Sequence, residues 1–361
     1  MHNHNLSSSN PSSSLLSSLL SSLLSRQSLP SLLAGLLVLV FSVFAGGSST
    51  AHAEEWRIAT VAPDGSSWMK VLSKGAASVK AVSEGRVSFK YYTGGVQGDE
   101  KDVIRKMKMG SLDGGAFTSV GLGQIVPSIR VLELPMIFNS VEEMDYVRRK
   151  MWGTFMKRFD KKGFKLLDPG DIGAIHFYSN TPIKTRADLL KTKMWMWGED
   201  VLVKTMNKHM GVKGVPMGVP DVLPALNTGR INACYGSALA TVALQWYTKV
   251  KFATSLTLSY GVSATVINKK NWDSMSKEDM DAVKKAVRKQ SKELRATVRR
   301  DNKRAHKAIV RAGVKVIETP TATVAEFQKI AEKVWTEMVG KLYSQKDLDR
   351  VLKYRAEYRA K

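Results

Sequence analysis

The chain has 361 residues and a formal net charge of +23, because 55 lysines and arginines outnumber 32 aspartates and glutamates. Its single cysteine, Cys234, excludes a disulfide within the chain, and a chain this long can bury a sizeable core without one. The positive charge favours anionic partners, such as an acidic protein face, an anionic lipid or an anionic solute.

Residues 1–53 have the features of a secretory signal peptide. A Ser/Leu-rich tract is followed by Arg26, an apolar run and the sequence "SSTAHA", which ends in an A-x-A pattern. The alternative is an N-terminal membrane anchor, but the apolar run is shorter than the ~20 residues that a spanning helix needs. We therefore predict export, cleavage after Ala53 and a mature protein that does not bind nucleic acid.

From residue 54 onward, strand-like and helix-like segments alternate. The first set comprises a strand over 56–63, a helix over 66–83, a strand over 86–94, a helix over 99–112 and a strand over 114–120. Strands that alternate with helices are typical of βαβ units and a parallel sheet. The pattern predicts an α/β fold.

A second set follows a helical segment over 140–163. Turn-forming residues near Gly173 and at Asn180-Thr181-Pro182 predict crossings between two lobes. Two α/β lobes joined by several crossings would leave a cleft between them. The predicted elements of this set are strands over 164–170, 174–180, 194–197, 213–218 and 232–236 and helices over 200–211 and 221–231.

Residues 276–313 predict an unusually long helix. Ser276 with Asp279 is typical of an N-cap before an acidic first turn, and Gly313 marks the end. At ~1.5 Å per residue such a helix could reach across both lobes. Apolar residues form one stripe along it, at positions 280, 283, 287, 294 and 298. A last helix over 323–343 precedes a charged tail.

The same helix is strongly basic. Residues 284–311 hold twelve lysines and arginines and only two acids, Glu293 and Asp301. A solvated helix face is the simpler interpretation, and attraction to an acidic membrane surface or partner is the alternative. A membrane-surface scaffold that uses this helix therefore stays open as a function.

The chain shows no constellation of catalytic or metal-binding residues. His176, His209 and His306 are scattered, and one cysteine cannot form a thiolate cluster. Cys234 lies in the apolar "NACYG", without a neighbouring base to lower the pKa of its thiol. We therefore predict no metal, no cofactor and no enzymatic activity. An exported enzyme that uses Cys234 or His176 is the alternative.

The segment "MWMW", residues 194–197, is a short apolar strand between polar flanks. Alternation places Trp195 and Trp197 on one face of the strand and Met194 and Met196 on the other. Two tryptophans on one face either belong to the core or line a hydrophobic site, and the pattern leaves both interpretations open.

Several segments together resemble the DctP-type solute receptors of TRAP transporters. They are "WRIATVAPDGSSWMK", the stretch from "YYTGGVQGDE" to "NSVEEMDYV", "NTPIKTRADLLKTKMWMW" and "PALNTGRINA". The resemblance implies a two-lobed periplasmic-binding-protein fold, with a ligand cleft between the lobes and a long helix spanning both. It also implies a periplasmic receptor that closes on a solute and delivers it to a membrane permease.

The resemblance also divides the mature chain. We expect lobe I over 54–175 and lobe II over 176–265, both α/β. Residues 266–361 are expected to form the long spanning helix and C-terminal helices that pack on both lobes.

The chain departs from the family's pattern where the resemblance places the solute. The family's arginine that binds the solute carboxylate corresponds to Trp195, and "NACYG" replaces a polar segment. An indole carries no charge, and its large surface favours apolar burial. We therefore expect a substantially hydrophobic ligand, such as a lipid, fatty acid or sterol-like molecule. Similar relatives work with a periplasmic TPR-type helper protein, which is a candidate partner here.

A TRAP receptor for a small organic acid, a C4-dicarboxylate or a related carboxylate, is the alternative. Another cation would then replace the missing arginine, and Arg186, Lys193 and Lys213 are the candidates. The expected ligand contacts are Trp68, Phe117, His176, Trp195, Trp197, Asn232, Cys234 and Tyr235.

Overall fold

The computed structural model describes residues 54–361, except Glu199. The predicted signal peptide, residues 1–53, lies outside the described residues. The strands of the described part are β1 (Glu54–Ala59), β2 (Val87–Tyr92), β3 (Gly114–Thr118), β4 (Phe164–Ser179), β5 (Met194–Trp197), β6 (Gly214–Met217), β7 (Ala233–Ser237), β8 (Phe252–Thr254), β9 (Ser259–Asn268) and β10 (Lys315–Ile317).

Helices follow most of these strands, as the alternating pattern predicts. They are α1 (Ser67–Val82), α2 (Glu100–Lys108), α3 (Ser119–Ile125), α4 (Val141–Lys161), α5 (Arg186–Leu190), α6 (Val201–Met210), α7 (Val222–Asn227), α8 (Ala238–Ala243), α9 (Lys269–Asp273), α10 (Lys277–Arg311), α11 (Thr321–Glu337) and α12 (Gln345–Arg359). Short 3₁₀ turns cover Pro127–Glu133, Val219–Asp221 and Trp246–Lys249.

The strands form one sheet in the order β2-β1-β3-β9-β4-β7-β5-β6, with β8 paired to β4 and β10 to β8. We call the half with β1, β2 and β3 the first lobe and the half with β5, β6 and β7 the second. Strands within each half run parallel, whereas β9 is antiparallel to β3 and to β4, and β4 is antiparallel to β7. The α/β class is confirmed, and the predicted parallel pairing is found within each half, whereas β4 and β9 pass between the halves in opposite directions and pair antiparallel.

The two strands predicted over 164–170 and 174–180 are in fact one strand, β4. Its pairing with β9 shifts register between Leu166 and Pro169 and again between Asp171 and Gly173. A register shift bends a strand without ending it, so β4 continues into the second lobe. Both expected lobe boundaries, at 175/176 and 265/266, fall inside β4 and β9, and the boundaries stay a prediction.

The long helix α10 packs against both lobes. It contacts α1 of the first lobe, where Lys74 pairs with Glu293 at 2.7 Å. It also contacts α8 of the second lobe, where Asn302 accepts a hydrogen bond from the backbone N–H of Leu239 at 3.0 Å. Its N-cap is Ser276, as predicted, and the buried members of the predicted stripe are Val283, Val287, Leu294 and Val298.

The C-terminal segment is more ordered in structure than its charge suggests. Residues 345–359, expected as a charged tail, form α12 with a capping box between Ser344 and Asp347. Arg158 of α4 makes a paired contact with the Asp347 carboxylate at 2.8 and 3.0 Å. The cap and the paired ionic contact together explain why this polar segment is helical.

Candidate functional site

A cavity of about 240 Å³ lies where the two lobes meet. Its wall is mainly apolar, with a few polar side chains, which is the usual composition of a small-molecule site. The aromatic residues of the wall are Trp68, Phe89, Tyr91, Phe117, Phe177, Trp195, Trp197, Tyr235 and Trp246.

The ring of Trp195, in β5, contacts three other aromatic rings of the wall, those of Trp197, Tyr235 and Trp246. Its ring stacks on Tyr235 with 4.7 Å between centroids and meets Trp246 edge-on at 5.2 Å. Its indole N–H donates to the backbone carbonyl of Met217 at 3.1 Å, so its only polar group is used within the protein. Trp195 is 1% exposed. It is therefore a packed core residue whose surface also lines the cavity.

Trp197 lies on the same face of β5, as alternation predicts, with its ring 5.7 Å from that of Trp195. Its indole N–H donates to the Asp99 carboxylate at 2.8 Å. Asp99 is the N-cap residue of α2 in the first lobe, and burial raises the pKa of its carboxyl group. This hydrogen bond therefore joins the two lobes at the edge of the cavity.

One cation and four carboxylates occur among the described residues that line the cavity: Arg130, and Glu100, Glu133, Asp168 and Asp200. Arg130 lies in the 3₁₀ turn that follows α3 and is 4% exposed. Its guanidinium is 2.9 Å from Asp200 and 3.3 Å from Glu133. Burial lowers the pKa of Arg130, but these two carboxylates more than offset that effect, so its pKa is raised overall.

Asp200 approaches Arg130 from the second lobe. It is the N-cap residue of α6, and its Oδ1 accepts the backbone N–H of Leu202 at 2.9 Å and that of Val203 at 3.3 Å. The other oxygen, Oδ2, faces Arg130. The cap holds the carboxylate in place because an N-cap side chain satisfies the free amides of the first turn.

Glu100 is another buried carboxyl group of the cavity wall, and both of its oxygens accept hydrogen bonds from within the protein. It accepts the backbone N–H groups of Thr118 at 2.7 Å and Gly121 at 2.6 Å and the Thr118 hydroxyl at 3.0 Å. These donors lie at the start of α3. Burial raises the pKa of Glu100 from 4.5 to about 8, despite the hydrogen bonds that favour its charged form. Burial likewise raises the pKa of Glu133, whose carboxylate accepts the Ser119 hydroxyl.

Two donors at the cavity wall have no hydrogen-bond partner among the described residues. They are Nε of Arg130 and the side-chain amide nitrogen of Asn207, which belongs to α6. A buried donor without a partner costs free energy, ~1 to 3 kcal/mol each.

Five of the eight expected contacts line this cavity. They are Trp68, Phe117, Trp195, Trp197 and Tyr235. Trp68 is 7% exposed, and its indole N–H donates to the carbonyl of Asp171 at 3.1 Å. The sequence therefore predicted five of the nine aromatic residues that the described part of the chain places in the wall.

The other three expected contacts do not line the cavity. Cys234 points to the opposite face of β7 from Tyr235, because side chains alternate along a strand, and it is fully buried. His176 bonds the Leu256 carbonyl through Nδ1 at 2.9 Å, and burial lowers its pKa. Asn232 directly precedes β7, and its side-chain oxygen accepts the backbone N–H of Lys193 at 2.7 Å.

The substitute cations considered for an organic acid are also outside the lining. Arg186 donates to the Met210 carbonyl at 2.9 Å and lies 3.7 Å from Glu326. Lys193 and Lys213 are exposed. Arg130 is the cation that the sequence reasoning missed. An arginine flanked by Ile129 and Val131, with Glu133 three positions on, was the available signal, since a charge within an apolar run is rarely buried without a partner.

The site holds no catalytic arrangement among the residues described. Burial raises the pKa of the Cys234 thiol, which opposes formation of a nucleophilic thiolate. Within residues 54–361, leaving out Glu199, no cluster of three or more His, Cys, Asp or Glu side chains could bind a metal ion. None of the helices in this range is long and apolar enough to cross a membrane.

Two α/β halves joined by continuous strands, with an apolar cavity between them and a helix across both, define a two-lobed solute-binding receptor. The family model for bacterial extracellular solute-binding protein, family 7 (DctP), matches residues 58–342. The chain belongs to this family, and it is a TRAP-type solute receptor rather than an enzyme.

Known proteins extend this likeness over most of the chain. A solute-binding protein of Chromohalobacter salexigens is 28% identical over 307 residues, or 83% of this chain and 90% of that protein. The C4-dicarboxylate-binding periplasmic protein DctP of Rhodobacter capsulatus is 24% identical, over 74% of this chain and 83% of its own. The structure of a TRAP periplasmic solute-binding protein of Chromohalobacter salexigens with bound D-glucuronate has a TM-score of 0.77 at 25% identity, covering 83% of this chain and 99% of that one.

Proposed function

We propose that this TRAP-type receptor works in the periplasm, binds a small organic acid in the cavity between its lobes and delivers it to a membrane permease. Arg130 takes the place of the arginine that the family resemblance leads one to expect at position 195. The proposal includes export through the predicted signal peptide, residues 1–53, and closure of the lobes on the solute.

The observation that carries the proposal is the position of Arg130. It is the cation of the described cavity lining, it is buried, and its Nε lacks a hydrogen-bond partner among the described residues. A guanidinium is planar and donates in pairs, which suits a carboxylate. The free amide nitrogen of Asn207 adds a donor for a second oxygen of the same ligand.

The ligands of similar proteins and the size of the cavity support the same class. One relative is named for C4-dicarboxylates and another is described with D-glucuronate bound. A cavity of about 240 Å³ suits a compact solute better than a sterol or a diacyl lipid.

A substantially hydrophobic ligand is the second candidate. It is favoured by Trp195, which occupies the expected position of the clamping arginine, and by the aromatic wall around it. A fatty acid would combine both features, because its carboxylate could reach Arg130 while its chain lies against Trp195 and Tyr235. The TPR-type helper protein belongs with this candidate as a proposed partner.

The first experiment is native mass spectrometry of the purified mature protein, followed by solvent extraction of any molecule that it carries. We expect one small carboxylate per chain. A stoichiometric lipid or other apolar molecule would contradict the proposal and support the second candidate. If the protein is purified without ligand, calorimetric titration with D-glucuronate and succinate takes the place of extraction.

The variant that tests Arg130 is Arg130→Lys. Lysine keeps the charge that Asp200 and Glu133 require but cannot donate in the same fork, so we expect the affinity for the acid to fall at least tenfold. The control is Arg186→Lys, which makes the same exchange outside the cavity and should leave affinity unchanged. Thermal melting must show that both variants fold. Equal affinity of the two variants would show that Arg130 does not bind the acid.

A further inference from the structure

Arg130 is already held between two carboxylates of the protein itself. Glu133 comes from the same 3₁₀ turn, and Asp200 comes from the opposite lobe. With both carboxylates ionised, this buried group has one positive and two negative charges. A ligand carboxylate that reaches Arg130 would be the third anion, and like charges at such short range repel strongly where water is excluded.

Asp200 is the carboxylate that a ligand would have to replace. Its Oδ2 lies 2.9 Å from a terminal nitrogen of Arg130 but makes no directed hydrogen bond among the described residues. Its Oδ1 is fixed by the backbone N–H groups of Leu202 and Val203. The side chain is thus anchored on one oxygen, while the other is buried against the Arg130 guanidinium.

We propose that Asp200 is a specificity-determining residue, which competes with the ligand carboxylate for Arg130 and selects acids that carry hydroxyl groups over dicarboxylates. The inference rests on the proposed binding of an organic acid. A hydroxyl beside the carboxylate of the ligand can donate to Asp200 Oδ2 once that oxygen has left Arg130, so the displaced acceptor gains a partner. A second carboxylate has no proton to donate at neutral pH and adds repulsion instead.

The test compares two probes, D-glucuronate and succinate, by calorimetric titration of the mature protein at pH 7.5. The variant is Asp200→Asn. Asparagine caps a helix as well as aspartate does, so α6 should stay intact while the competing charge is lost. Asp200→Ser, which also caps, is the second variant in case the first does not fold. Asp221→Asn removes one exposed carboxylate outside the cavity lining and is the charge-matched control.

We expect the wild-type protein to prefer D-glucuronate. In Asp200→Asn the affinity for succinate should rise at least tenfold while that for D-glucuronate changes less, so that the ratio of the two affinities falls at least fivefold. If succinate binds to Asp200→Asn but not to the wild-type protein, that result also supports the inference. The control should keep the wild-type ratio.

The two possible failures give different results. If both probes bind and the ratio in Asp200→Asn stays within twofold of the wild-type ratio, the role of Asp200 is overturned and the receptor function stands. If neither probe binds the wild-type protein nor either variant of Asp200, both the inference and the proposed organic-acid ligand are overturned.

Discussion

Glu100 combines a full set of hydrogen-bond donors with an environment that opposes its charge. Three donors from the start of α3 favour the carboxylate, but burial outweighs them and raises its pKa to about 8. A carboxyl whose pKa is higher in the folded state than in the unfolded chain binds its proton more tightly when folded. Its contribution to stability is therefore complete below about pH 4.5 and is lost as the pH rises towards 8.

We predict that the free energy of unfolding falls between pH 5 and pH 8.5, by on the order of a few kcal/mol from this group. Urea denaturation across this range measures it. Glu100→Gln, which carries no titrating proton, should flatten that part of the profile. A variant with the same slope as the wild-type protein would show that Glu100 does not titrate in this window.

At the scale of elements, β4 is the strand that determines how the lobes are joined. Its second register shift lies at Asp171 and Gly173. The Asp171 carboxylate accepts hydrogen bonds from Arg148 of α4 at 2.7 Å and from Arg299 of α10 at 2.6 Å. Gly173 has a φ of +115°, and a Cβ there would lie 2.5 Å from the side chain of Asn302. The Asp171 carboxylate thus connects the second register shift of β4 to the helices α4 and α10.

Gly173→Ala should lower the free energy of unfolding by ~1 to 3 kcal/mol, because alanine is strained at this φ and Asn302 must move. Gly153→Ala is the matched control. Gly153 lies within α4 with open space around it, so alanine there should stabilise the protein by ~0.5 to 1 kcal/mol. Chemical denaturation of both variants checks the prediction, and equal effects at the two sites would contradict it.

At the scale of the whole molecule, two of the side-chain contacts between described residues connect the lobes beside the cavity. Trp197 of the second lobe donates to Asp99 of the first, and Arg130 of the first lobe pairs with Asp200 of the second. Contacts of this kind oppose the hinge opening that a receptor needs in order to admit a solute. In the proposed opening and closing of the lobes, these contacts compete with the solvation of the separated groups.

We predict that Trp197→Phe, which keeps an aromatic ring but loses the N–H donor to Asp99, shifts the unliganded protein towards an open form. Small-angle X-ray scattering should show a larger radius of gyration without ligand and the wild-type value at saturating ligand. Trp272→Phe, in α9 and in a separate core cluster, is the control. An unchanged radius in Trp197→Phe would mean that this hydrogen bond does not affect closure.

Features that depend on neighbouring residues in the chain were predictable. The 35-residue helix α10 begins at the N-cap expected for it, and its buried residues follow the predicted stripe. The pairing of Trp195 and Trp197 on one face of β5 follows from alternation alone. These patterns repeat over one or two turns or a few strand residues, so local spacing is sufficient to detect them.

Features that depend on distant residues were missed. The strands β8, β9 and β10 were not predicted, and each pairs with a partner far along the chain. The helix α12 is so polar that its sequence suggested a tail, but its contact with Arg158 gives it a place in the fold. Cys234, His176 and Asn232 do not line the cavity, because the pairing of distant strands decides which side chains meet there.

The sequence by itself determined the receptor family, the α/β class, the spanning helix and the shared face of Trp195 and Trp197, because each is recorded in local periodicity or in an ordered set of motifs. Only the tertiary structure decided which charges line the cavity. Arg130 and Asp200 are 70 positions apart and in different lobes, and no local pattern links them. Their pairing depends on burial, because the attraction between opposite charges is stronger where water is excluded.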